Sequence, residues 1–122
     1  MTQLYVYNND VLNGLYTTQR EGSVWIYDLL HKYGYKVLFF EGDSDGSISL
    51  TGSWQWIKRR NYTVVKGWSP LFTEEGQLFG FSKGYDLFQL VTIHGEGHPA
   101  YFVKGKEVTS ILANFLNDLP LQ

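Results

Sequence analysis

Two loops carry side chains whose types and spacing could do chemistry. Gly42-Asp43-Ser44-Asp45-Gly46 sets two carboxylates around a hydroxyl, and His94-Gly95-Glu96-Gly97-His98-Pro99 sets two imidazoles four residues apart. Each loop follows a segment that reads as a buried strand, residues 37–40 and 87–93. In open α/β sheets, sites gather at the carboxyl ends of the strands. If the two strands are neighbours, an Asp and a His meet at one sheet edge. That is two thirds of an acyl-transfer triad: a His base, and an Asp that fixes its tautomer and stabilises the imidazolium. Solvated loop Asp and His residues read the same in one dimension, so proximity in the fold has to decide.

Other chemistries compete for the same residues. Gly42-Asp43-Ser44-Asp45-Gly46 matches G-x-S-x-G, the strand-to-helix elbow that presents a nucleophilic Ser. An elbow needs a helix to begin at once, yet Ser47-Ile48-Ser49-Leu50 intervenes before the next helical pattern. Two carboxylates beside Ser44 would also set negative charge against a developing oxyanion. Asp43-Ser44-Asp45-Gly46 echoes part of a Ca²⁺ loop, but its Gly falls too early and no Glu stands at the bidentate position. His94 and His98 have the spacing of helical zinc ligands. Gly95 and Gly97 between them disfavour a helix, and Glu96 is misplaced for H-E-x-x-H. His94 therefore reads as a loop residue hydrogen-bonded locally, and no metal or cofactor is expected.

The elements that must hold these loops follow from periodicity. Residues 22–31 place Val24, Trp25, Tyr27, Leu29 and Leu30 at helical spacing, and Gly34 supplies a stop. Val37-Leu38-Phe39-Phe40 is a continuous apolar run, the mark of a strand covered on both faces in a parallel sheet. Residues 51–60 look helical, with Trp54 and Ile57 on one side and Lys58-Arg59-Arg60 as a solvated end favourable to the helix dipole. Residues 62–68, 78–82 and 87–93 are aromatic and β-branched, punctuated by Ser69-Pro70, Glu75-Gly76 and Lys83-Gly84. They predict an antiparallel excursion that leads back to a core strand. Residues 108–116 form a last amphipathic helix closed by Pro120. The order gives an α/β class.

Composition narrows the function classes. The chain has 122 residues, 43% hydrophobic and 18% charged, a folding composition of one domain's size or a large piece of one. Its 17% aromatic content is read as core and interface filling. A net charge of −2 offers no basic excess for phosphates, which argues against nucleic acid. No run of about 18 apolar residues predicts a membrane span. Met1-Thr2-Gln3-Leu4 lacks the look of a signal peptide. With no Cys, disulfides and thiolate chemistry are excluded.

Several motifs, in order, resemble one family. Lys36-Val37-Leu38-Phe39-Phe40-Glu41-Gly42-Asp43-Ser44-Asp45-Gly46 is similar to the strand and "GDxD" loop near the end of serine carboxypeptidases. Thr51-Gly52-Ser53-Trp54-Gln55-Trp56-Ile57 is similar to their "GT…WI" helix. Trp68-Ser69-Pro70-Leu71, Gln77-Leu78-Phe79-Gly80-Phe81 and Lys83-Gly84-Tyr85-Asp86 resemble their "W-x-P-W…QxGG…Y" region. Leu90-Val91-Thr92-Ile93-His94-Gly95-Glu96-Gly97-His98 is similar to "TVxGAGH", which carries their catalytic His. The resemblance spans roughly residues 5 to 118.

That resemblance implies the C-terminal part of an α/β-hydrolase fold, with a mostly parallel sheet completed by another chain, over residues 1–122. It implies Asp45 as triad acid and His98 as triad base, with Asp43 and Gly97 supporting the loops and Asp43 doing so through backbone N–H groups. The nucleophilic Ser, its oxyanion hole and the acids that recognise a peptide's terminal carboxylate lie upstream in the family, so a larger partner chain is expected to supply them. The implied activity is a serine-type carboxypeptidase acting on peptides without cofactor, or alternatively a non-catalytic subunit that kept the fold. Two departures stand out: the family continues "GHMVP" where this chain has Pro99-Ala100-Tyr101, and its disulfides have no counterpart here. Asn61-Tyr62-Thr63 fits the N-glycosylation sequon, in keeping with a lysosomal, vacuolar or secreted family.

Overall fold

The first helix, α1 (Trp25–Lys32), starts three residues later than its pattern suggested and stops at the expected place. Gly34 adopts φ +73°, and Tyr35 and Gly34 donate their N–H groups back to the Leu30 and His31 carbonyls. This double return satisfies carbonyls that a helix end leaves open, and glycine takes the left-handed conformation without a Cβ penalty. The computed structural model describes residues 22–98 and 100–121, so the readings of Met1–Leu4 and of Pro99 lie outside the described residues.

After α1 come β1 (Leu38–Gly42), α2 (Leu50–Arg60), β2 (Val64–Phe72), β3 (Leu78–Tyr85), β4 (Gln89–Ile93), a 3-10 turn (Ala100–Phe102) and α3 (Gly105–Leu116). The strands form one mixed sheet in the order β1-β4-β3-β2. β1 and β4 are parallel, in register from Leu38 opposite Gln89 to Gly42 opposite Ile93. The β2–β3 and β3–β4 pairs are antiparallel, which is the excursion expected from the middle of the chain. α/β it is, with a mixed rather than mostly parallel set of described strands.

Alternation along the strands explains why both sheet faces are covered. On one face Val91 and Ile93 of β4 pack with Leu71, Phe79, Ala100 and the α3 residues Val108 and Ile111; Leu38 and Phe40 of β1 join them. On the other face Leu90 and Phe88 pack with Ile57 of α2, joined by Phe39, Tyr27 and Trp56. Leu90, Val91 and Ile93 are fully buried. Each such aliphatic side chain contributes about 1.5–3 kcal/mol from leaving water. The aromatic richness is largely spent on this second face, where Phe88 touches the rings of Tyr27, Trp56, Tyr62 and Tyr85 at centroid distances of 4.9–5.9 Å.

α3 ends at Leu116, as expected, and begins three residues earlier than its pattern suggested. Asp118 takes φ +57°, and Leu119 and Asp118 donate N–H groups to the Asn114 and Phe115 carbonyls. Lys36 Nζ reaches across from the segment before β1 to the Phe115 carbonyl at 3.1 Å and to Asp118 Oδ1 at 2.8 Å. A cation at a helix C-terminus complements the dipole there. The helix end is thus tied to the approach to β1, and Pro120 follows a stop already made.

Candidate active site

Pairing of β1 and β4 fixes where the two reactive loops begin. The parallel register runs on past the strands, because Asp43 N–H donates to the Ile93 carbonyl at 3.0 Å and Ser44 N–H to the Glu96 carbonyl at 2.9 Å. Gly42 makes this stitching possible. A Cβ on it would fall inside the Glu96 carbonyl oxygen and 2.7 Å from the Gly97 carbonyl oxygen, both backbone atoms that cannot step aside. The loops therefore lie side by side at the carboxyl ends of adjacent parallel strands, where α/β sheets build sites.

Two Asp–His pairs result. Asp45 is buried, its side chain only 5% exposed. Its Oδ1 accepts the Ser47 N–H at 2.7 Å and the Ile48 N–H at 3.0 Å. Its Oδ2 faces His98 Nδ1 at 3.2 Å. Asp43 is the looser partner of the second pair: its Oδ2 meets His94 Nδ1 at 2.8 Å while its Oδ1 accepts the Gly95 N–H at 2.7 Å. Asp43 was expected to hold its loop through backbone N–H groups, and the one it accepts belongs to the other loop. His94 is bonded locally too, and its partner Asp43 was not foreseen.

Charge follows from these contacts. The Ile48 N–H is the main influence holding the Asp45 carboxyl below the ordinary carboxylate range; burial opposes it, and the Ser47 N–H and His98 reinforce it. For Asp43 burial works upward, but the His94 side chain, the Gly95 N–H and the Ser44 hydroxyl outweigh it and bring the carboxyl down. An ionised carboxylate only accepts hydrogen bonds, so Nδ1 of His98 must carry the hydrogen. Nε2 then holds the free lone pair and points away from Asp45. With its side chain 58% exposed, His98 offers that nitrogen outward. A base oriented by a buried carboxylate is the arrangement on which acyl transfer depends.

The competing readings of these loops find no geometry to support them. Ser44 Oγ donates to Asp43 Oδ1 at 3.1 Å, and the next helix starts only at Leu50, so the strand–turn–helix of a nucleophile elbow is not formed. Asp43 and Asp45 turn their oxygens to different partners rather than to a common point. His94 and His98 sit in a turn and bend, each on its own carboxylate. Asn61, the sequon residue, is exposed at the left-handed C-terminal residue of α2, with φ +53°. Gly97, expected to support the loop, contributes its carbonyl close to Gly42.

One residue escaped the motif reading. Glu41, the second-to-last residue of β1, is 6% exposed, and neither carboxylate oxygen has a hydrogen-bond partner among the described residues. Burial pushes its carboxyl above the usual range; the Ser53 hydroxyl pulls the other way and the Asp45 charge adds to the rise. The signal was present in the sequence: an acid directly continuing an apolar strand that is covered on both faces. A cavity of about 250 Å³ opens beside it, with Phe40, Asp45, Ile48, His98 and Tyr101 among its walls.

Comparison with known proteins gives the family. The family described as serine carboxypeptidase matches residues 3–118. Serine carboxypeptidase 1 of Hordeum vulgare is 35% identical over 104 residues, 84% of this chain and 21% of the barley protein. Serine carboxypeptidase-like 38 of Arabidopsis thaliana is 33% identical over 97 residues, 79% of this chain and 20% of that protein. Serine carboxypeptidase-like 32 of the same plant is 29% identical over 114 residues, covering 93% of this chain and 24% of its own length. The chain thus spans about a fifth of the length of the curated relatives it matches.

Proposed function

The chain belongs to the serine carboxypeptidase family, and from that premise we propose that it supplies the acid and the base of a serine-type carboxypeptidase of the α/β-hydrolase fold. The observation that carries this reading is the contact of Asp45 Oδ2 with His98 Nδ1 at the carboxyl ends of two adjacent parallel strands. A larger partner chain, or the remainder of the same protein, carries the nucleophilic Ser.

In that assembly His98 Nε2 takes the proton from the Ser hydroxyl as its oxygen attacks the last peptide carbonyl. The imidazolium, stabilised by Asp45, gives the proton to the departing amine, and the C-terminal amino acid leaves. Water then repeats the sequence on the acyl-enzyme: His98 takes one of its protons as the water oxygen bonds to the acyl carbon. The bond from that carbon to the Ser oxygen breaks, and His98 returns the proton to the Ser oxygen while the shortened peptide leaves as its acid. Every step uses protein groups and water.

The family points to a lysosomal, vacuolar or secreted protein, and the exposed Asn61 is an accessible sequon in such a compartment. Among the described residues no helix is long and apolar enough to cross a membrane. The assay that tests the reading compares peptides bearing a free C-terminus with the same peptides amidated, using the assembled protein. Release of single C-terminal residues from the free acids alone, blocked by a serine-directed phosphonate, is the expected result. A folded assembly that binds peptides and hydrolyses neither form would assign the chain to a non-catalytic subunit.

A further inference from the structure

Glu41 poses a problem that the acid–base pair does not use up. Its side chain stands in the wall of the cavity shared by Asp45 and His98, four residues before Asp45, yet its two oxygens are shielded from solvent and unpartnered among the described residues. Asp45, by contrast, receives two backbone N–H groups and an imidazole. The same small region therefore gives one carboxyl three donors and the other only the approach of the Ser53 hydroxyl, with no hydrogen bond formed. A buried, unpartnered carboxylate is far costlier than a buried neutral acid. Two carboxyl groups so placed divide their roles: one carries the charge, and the other does not.

We propose that Glu41 is a positioning residue of the Asp45–His98 pair: a second, neutral carboxyl that leaves the negative charge of the cavity on Asp45 alone. This rests on reading Asp45 and His98 as acid and base. The groups that face Glu41 support it from each side. Ser53 approaches from α2 with a hydroxyl, Asp45 and His98 from the two loops, and Tyr101 completes the titratable groups of the cavity wall. No lysine or arginine among the described residues lines that cavity.

The consequence is a coupling between carboxyls. Were Glu41 ionised, a second negative charge would stabilise the imidazolium of His98, and the base would become free only at higher pH. A neutral Glu41 keeps His98 available as a base toward the acid side. Ionisation of Glu41 as pH rises is then felt by the pair as a shared, two-step titration.

Carbon-13 NMR of glutamate side-chain carboxyls in the full assembled protein tests the coupling without reference to activity. We expect the Glu41 resonance to titrate above the ordinary glutamate range, and Asp45→Asn to bring its midpoint down. In the pH profile of kcat/KM, Glu41→Gln, which keeps a neutral side chain of the same shape, should leave the acid limb in place and the plateau within about threefold, whereas a Glu41 ionised at the acid limb would show as a limb moved to lower pH. A residue that merely filled space would titrate at the same midpoint with and without the Asp45 carboxylate. If Glu41→Gln fails to fold, Glu41→Ala read in the same profile and the Asp45→Asn midpoint still decide. A Glu41 that titrates at or below its ordinary range, as it would with a cation delivered from elsewhere in the protein, overturns the proposal, and so does an acid limb that moves to lower pH in Glu41→Gln. Should the assembly hydrolyse no peptide while the two carboxyls still titrate together, the carboxypeptidase reading fails and the coupling stands.

Discussion

Asp43 and Asp45 are two residues apart, carry the same group and each touch a histidine, yet their surroundings set them to different work. Asp45 is the buried one, fixed by two N–H donors, so it holds its imidazole at a defined orientation. His94 is 62% exposed, and its pair with Asp43 bridges one loop to the other at the surface. His98→Ala should therefore lower kcat on peptides by about 10⁴-fold or more in the assembled protein, the usual cost of removing a triad member. Asp45→Asn should cost nearly as much, because an amide leaves Nδ1 free to lose its hydrogen and the wrong tautomer results. Asp43→Asn should keep most of the turnover and lose stability instead. Steady-state kinetics beside thermal melts separate the two, and the reverse pattern would put the acid at Asp43. Acid titration follows with a definite sign. Both carboxyls are held low in the fold, so the stability they add is complete above the ordinary Asp value near about 4 and is lost as pH falls through their lowered values. Melting temperatures measured downward from pH 5 should fall faster in the native protein than in Asp43→Asn. That an Asp loop and a His loop meet could be read from the strands they follow, and the resemblance singled out Asp45 and His98 among them. Glu41 could not be given a role there, since only packing shows that its oxygens find no partner.

Elements place these residues through backbone contacts that side-chain patterns do not record. The loop after β1 and the loop after β4 approach so closely at Gly42 that a methyl group has no room. Gly42→Ala should force the Glu96–Gly97 backbone outward and carry His98 off Asp45. The expected result is a loss of about 10²-fold or more in kcat/KM, the scale on which a misplacement of about 1 Å acts. Circular dichroism should meanwhile show the sheet retained. Full activity in Gly42→Ala would mean that the two loops are not held as described. Helices and strands were legible over most of their length because apolar periodicity reports burial directly. Their ends were less so. β1 runs two residues past its apolar run into Glu41 and Gly42, because parallel hydrogen bonding to β4 continues where hydrophobicity stops. α3 ends at Leu116 as its pattern predicts but begins at Gly105, three residues before the apolar periodicity sets in, and a left-handed Asp118 makes its stop ahead of the proline.

At the scale of the whole molecule, β1 is the informative strand. Among the described residues it has β4 as its one neighbour. The Val37 carbonyl accepts from Gln89 and the Asp43 N–H donates to Ile93, so the odd-numbered residues of β1 turn their backbone toward β4. Leu38 and Phe40 then present their N–H and C=O groups on the opposite side. Those groups border apolar side chains that are only half-buried, Leu38, Phe39 and Phe40, although the same run has the composition of a strand covered on both faces. α1 has no buried residue at all, and Trp25 is 60% exposed on it. Beyond the His98 loop, Phe102 and Val103 are more than 70% exposed. An open edge flanked by apolar surface is a template for pairing with further chain, and in isolation it promotes aggregation. We therefore expect the 122-residue chain to be unstable as a monomer and to gain a cooperative melt when co-expressed with the proposed Ser-bearing remainder of the fold. Hydrogen exchange gives the sharpest reading. The Leu38 and Phe40 amides should exchange fast in the isolated chain and become protected by about 10²-fold or more in the assembly, while the β3–β4 amides are protected in both. A monodisperse 14 kDa species that unfolds cooperatively, with Leu38 and Phe40 already protected, would show that β1 needs no further strand and that this chain completes its own sheet.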